Sequence, residues 1–201
     1  MTHQGYSRQT VSIEHVAIRS SYAFDLVRTK LEGLLPRIDD GIFTLLRYGE
    51  AERALRELEA CPSLLIFGVR DHGALLAVTG LRRRALQYDI GNPLTASRMT
   101  RHQISAGLYA PIRVLLREDN EAGAAFECDR PASVFGQFGD AAVDLVAQQL
   151  DRDLRAALEN AASSSTASPR PRWRDGAQAR FVRPASAARR LIWPPGGHPG
   201  G

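Results

Sequence analysis

The spacing of apolar positions divides the chain into segments of two periods. Between residues 10 and 19 β-branched residues dominate, with Val11 and Ile13 on one side and Val16 and Ile18 on the other. That pattern predicts a first strand with a bulge near Glu14-His15. Phe24, Val27, Leu31 and Leu34 then recur at helical spacing until Pro36, with Ser20 or Ser21 offered as N-cap. Residues 39–61 predict two further helical pieces, Ile42, Leu45 and Leu46 before Gly49 and Leu55 and Leu58 after it, closed by Pro62. The nearly continuous apolar run at 64–69 predicts a buried central strand, and residues 74–80 predict another strand.

The stretch 86–120 organises the rest. An extended run at 86–90 breaks at Gly91-Asn92-Pro93, because Gly admits φ > 0, Asn tolerates it, and Pro fixes φ and ends a ladder. A short polar helix carrying Arg98 and Met99 follows, then a strand at 112–117, a turn at 118–123 and a strand at 124–129. Across that hairpin Arg113 and Arg117 are placed to face Glu127, and Pro131 ends it. Gly139-Asp140 then caps the most regular helix, with Val143, Val146, Leu150, Leu154 and Leu158 at steps of three and four. The order of elements predicts an α+β fold, a mainly antiparallel sheet of about five strands with helices packed on one face.

Composition places this fold in a soluble chain. Of 201 residues 44% are apolar and 24% charged, enough for a sizeable core. No run approaches the roughly 18 apolar residues of a membrane span, and the polar N-terminus is no secretory signal, so a cytoplasmic protein with no membrane partner is expected. Cys61 and Cys128 fit that compartment. The expected organisation is a flexible N-terminus at 1–9, one domain at 10–159, and a disordered tail at 160–201, rich in Arg, Pro, Ala and Ser. Seven arginines against Asp175 give that tail +6, which leaves the body at −2 although the whole chain carries +4. Arginines interleaved with Trp173, Phe181 and Trp193 suit an acidic partner or nucleic acid, but only through the tail.

Asp71-His72 at a strand end is the sharpest chemical candidate, His72 as acid/base and Asp71 as the carboxylate that orients it. The bland alternative is a corner in which Asp71 caps backbone amides. Asn92, Arg98, Met99 and His102 are candidate ligand-binding residues, with Arg98 as a bidentate anion clamp and Thr95 and Ser97 beside a helix N-terminus. His15 reads as a buried, satisfied histidine. Histidines and cysteines are scattered without metal-ligand spacing, so no metal is expected, and no cofactor is designated.

Asp71-His72 after a strand, Gly91-Asn92-Pro93, Met99, Ala110-Pro111-Ile112 and the 118–123 turn together resemble the domain of unknown function 302 family over roughly residues 10–158. The resemblance implies a TATA-binding-protein-like topology, a helix just after Asp-His, and a homodimer. It implies no established activity, and the fold likeness says nothing about DNA. Two departures stand out: residues 36–62 are longer than one helix requires, and Cys128 stands where members often carry a tyrosine. The expected function is binding of a small polar or anionic ligand where the Asp71-His72 corner meets the Gly91-Asn92-Pro93 turn and Arg98. Alternatives are an enzyme using His72 as general acid/base, and an interaction protein acting through its basic tail.

Overall fold

The computed structural model describes residues 5–119 and 122–163; the expected disordered tail lies outside them except for its first residues, of which 160–162 are helical and not disordered. The elements in order are β1 (His15–Ser20), α1 (Phe24–Leu34), α2 (Gly41–Arg47), α3 (Ala51–Glu59), β2 (Leu65–Asp71), α4 (His72–Leu76), β3 (Ala85–Gly91), α5 (Pro93–Thr100), β4 (Ile112–Glu118), β5 (Ala124–Asp129), α6 (Pro131–Gly136) and α7 (Ala141–Ala162). Two 3₁₀ turns, Ala77–Thr79 and Ile104–Tyr109, follow α4 and α5. The strands form one sheet in the order β1-β5-β4-β3-β2, every neighbouring pair antiparallel. The fold is therefore α+β, as the pattern predicts.

One face of the sheet is apolar because alternate residues point the same way. Tyr88, Val114, Leu116 and Phe126 are buried there against Val27 and Leu31 of α1 and Leu150, Leu154 and Leu158 of α7. Asp140 starts α7 by accepting from the amides of Ala142 and Val143, at 2.8 and 3.2 Å. The opposite face is a lattice of balanced ion pairs, Arg70–Asp89 at 2.8 Å, Arg117–Glu127 at 2.7 Å and Arg19–Asp119 at 3.3 Å. Acid and base alternate on it, so it offers no continuous cationic saddle.

Five local expectations change. The first strand starts at His15, with residues 10–14 outside it, and its register with β5 runs without the expected bulge. The run at 64–69 becomes β2, which lies at the sheet margin and not at its centre. Its outer edge is covered by residues 36–38, with the Ile66 amide donating to Pro36 O and the Ile38 amide to Ile66 O, and that cover makes its apolar continuity tolerable. Residues 74–80 are α4 and a 3₁₀ turn instead of a strand, since the Asp71 carboxylate caps the Ala74 amide at 2.8 Å and Gly80, at φ +76°, stops the turn. Neither Ser20 nor Ser21 caps α1, whose N-cap is Ala23. The Ser20 hydroxyl instead donates to Ala162 O at 2.7 Å and so ties β1 to the end of α7. His15 is exposed beside Glu127 and Asp129, at 3.8 and 3.5 Å, and is not a buried histidine.

Candidate functional site

Gly91-Asn92-Pro93 converts β3 into α5. Asn92 is extended, and its side-chain oxygen accepts from the amides of Leu94 and Thr95 at 2.8 and 3.4 Å. Pro93 follows at the first helical position, where a missing N–H costs nothing. The Asn92 amide nitrogen donates to Pro62 O at 2.9 Å, which fastens the start of α5 to the loop after α3. Asn92 is buried, and these described bonds use both ends of its side chain.

Beside this corner lies a cavity of about 310 Å³. Phe43 of α2, Phe67 of β2, Ile90 of β3, Met99 of α5 and Pro111 and Ile112 at the start of β4 supply most of its wall. The Phe43 and Phe67 rings meet at 6.5 Å between centroids, tilted by 53°. The Ala110–Pro111 peptide in the same wall is cis. Polar groups are few. The Ser97 hydroxyl donates to Leu94 O at 2.9 Å, and that of Thr100 to Ser97 O at 3.5 Å. Thr95 also lines the cavity, and no hydrogen bond among the described residues occupies its hydroxyl. None of the lining residues is ionisable.

The predicted site residues divide between two places. Asn92 and Met99 line the cavity, as do Thr95 and Ser97. Asp71 and His72 do not join them. In the β2–β3 register Asp71 lies opposite Leu86 whereas Leu65 lies opposite Gly91. Five residues of strand therefore separate the two corners, about 17 Å at the usual rise. The expected meeting of the corners does not occur, because successive turns of an antiparallel meander fall at opposite ends of the sheet. Nor do Asp71 and His72 act on each other: Asp71 caps Ala74, and His72 Nε2 lies 2.8 Å from Gln87 Oε1. Arg98 and His102 are exposed on the outer side of α5 and its end, away from the cavity wall, so the anion clamp is not assembled. Arg98 and Met99, both expected to bind ligand, fall on different faces of α5, and the buried one is Met99, 1% exposed.

Sequence reasoning missed Phe43 and Phe67 as wall residues, because an aromatic in an apolar run reads as core. Elsewhere titratable groups serve the scaffold. Burial pushes the Cys128 thiol up to about 11, so it is no ready nucleophile. Tyr88 is fully buried, its hydroxyl donates to Glu32 at 2.9 Å, and burial followed by that bond raises its pKa. Among the described residues no group of three His, Cys, Asp or Glu side chains is placed to hold a metal ion, and no helix is long and apolar enough to cross a membrane.

A five-stranded antiparallel sheet with helices on one face and an uncharged hollow at one end defines an α+β domain with a small apolar site. More specifically, the chain belongs to the domain of unknown function DUF302 family, which matches residues 43–161, over half of its length. It is similar in fold to the uncharacterized conserved protein DUF302 from Bacillus stearothermophilus, known from its crystal structure. The TM-score is 0.54 at 15% identity, over 73% of this chain and 97% of that one. No curated protein matches the sequence.

Proposed function

We propose that this domain binds a small, uncharged, mostly apolar ligand in the cavity beside Gly91-Asn92-Pro93. The observation that carries the reading is the lining: aromatic and aliphatic walls around about 310 Å³, a few hydroxyls and no ionisable side chain. An anion brought there would lose its hydration with no cation to compensate, a cost of several kcal/mol in order of magnitude. That argument moves the ligand from anionic to neutral. It also removes His72 from the chemistry and favours a binding module over an enzyme.

The neutral fluorophore N-phenylnaphthylamine tests the reading. Ala96→Phe places a ring in the cavity from α5, and is expected to weaken binding at least about tenfold. His72→Ala should leave affinity unchanged. Equal binding by wild type and Ala96→Phe, or no binding by wild type, overturns the proposal.

A homodimer is a second reading, supported by β1. It is a marginal strand with no described strand on its outer side, and Val16 and Ile18 are half-buried over a groove shared with Leu154 and Leu158 of α7. Sedimentation equilibrium is expected to give twice the chain mass for wild type. Ile18→Lys, which turns a charge into that edge, should shift it to monomer.

A further inference from the structure

The connection between β2 and β3 is unlike the other helical segments. No residue from His72 to Arg84 is buried, yet the segment holds α4, a 3₁₀ turn and the large apolar side chains Leu75, Val78 and Leu81, which are 65%, 88% and 49% exposed. A helix of five residues is not stable by propensity, and such helices normally persist by burying an apolar face. Here that face meets solvent, and local devices hold the backbone: the Asp71 cap, Gly80 at φ +76°, and Gly73, where an added Cβ would lie 2.5 Å from Arg83 O. An apolar group of this kind, held in shape but uncovered, marks a contact surface.

The charge beside it narrows the partner. Arg82-Arg83-Arg84 follows Leu81 directly, and the three arginines line a hollow with Gly73, Ala77, Gly80 and Glu118. Arg84 is committed within the fold. It forms a two-point bond to Asp25, donates its amide to Glu118 at 3.0 Å and stacks on Phe24 at 4.3 Å. Arg82 is exposed and makes no ion pair or hydrogen bond with the described residues. The partner must therefore be apolar at its centre and anionic at its margin. A second copy fits poorly, since a two-fold contact would set one Arg82 cluster against the other. Leu75 and Val78 line none of the hollows described above and Leu81 only the arginine-lined one, so the apolar side chains project outward and suit a soft surface more than a peptide.

We propose that α4 and the turn after it form a peripheral docking site for an anionic lipid surface. Leu75, Val78 and Leu81 enter the headgroup boundary and Arg82 pairs with lipid phosphates. The absence of a membrane-spanning helix among the described residues does not bear on such a contact. The site is separate from the cavity, at the other end of the β2–β3 hairpin.

Vesicle co-sedimentation of the full chain tests it, with phosphatidylcholine alone against phosphatidylcholine mixed with phosphatidylglycerol. The seven arginines after residue 160 can also attract anionic vesicles, so the decisive comparison is within the patch. Wild type is expected to bind the mixed vesicles, and less so as salt rises. The double variant Leu75→Ser, Val78→Ser removes only exposed side chains, so its circular dichroism should match wild type while its partition falls at least about tenfold. Arg82→Glu should weaken binding in the same direction. Failure of wild type to bind the mixed vesicles overturns the proposal. So does equal binding by the double variant, which assigns the attraction to the tail. A wild-type dimer that the double variant alone dissolves also overturns it, by making the patch a self-contact.

Discussion

Phe126→Ala is expected to lower the unfolding free energy by about 3–5 kcal/mol, the range for emptying a buried aromatic site. Phe126 is 1% exposed on β5, opposite Ile18 on one side and Leu116 on the other. It belongs to the cluster that joins the sheet to Leu31 of α1 and Leu154 of α7, so the hole left behind lies in the seam between the sheet and the helices packed on it. Against a typical total of about 5–15 kcal/mol, that loss is about a fifth of the stability at the least. The midpoint of thermal unfolding should fall by roughly 10–20 °C for a domain of this size. Urea titration with an unchanged slope would assign the change to the folded state, and Phe126→Leu should recover all but about 1 kcal/mol. A shift under about 1 kcal/mol for the alanine variant would mean that β5 is not the centre of the core.

Asn92→Ala is expected to cost about 1–3 kcal/mol. Roughly 1 kcal/mol is the lost cap on Leu94 and Thr95, and about 0.5–1.5 kcal/mol the lost hydrogen bond to the carbonyl of Pro62, an exposed residue. Asn92→Asp separates the two contributions, because the carboxylate keeps the cap but has no donor for Pro62 O. It should lie between wild type and the alanine variant in thermal unfolding. The same pair of variants distinguishes scaffold from ligand contact. If Asn92 acts by positioning α5, loss of stability and loss of N-phenylnaphthylamine binding should rise together. Binding lost at full stability would instead make Asn92 a direct ligand contact.

Much of the fold was legible because its strands and long helices follow clean periods. β3, β4, β5, α1, α5 and α7 fall where the apolar spacing put them, and the Arg117–Glu127 pair crosses the predicted hairpin. The division of 39–61 at Gly49 is also found, with that glycine at φ +79°. The failures share a cause. The run at 64–69 looks central because apolar continuity reports cover on both faces, and local sequence does not say whether strands or loops provide that cover. Residues 74–80 look extended because a short apolar run carries too few residues to show a period, and the cap from Asp71 decided it. Pro131, expected only to end the hairpin, also opens α6, because proline suits a first helical position.

The candidate site shows the same division. Local chemistry alone determined that Gly91-Asn92-Pro93 turns the chain and that a short helix follows it. Side-chain capping and helical phase act over a few residues, and a few residues can encode them. Whether Asp71-His72 comes near that turn was decided by strand order and register, which depend on pairings far apart along the chain. The antiparallel meander sent the two corners to opposite ends of the sheet, and the cavity drew its aromatic wall from α2 and β2.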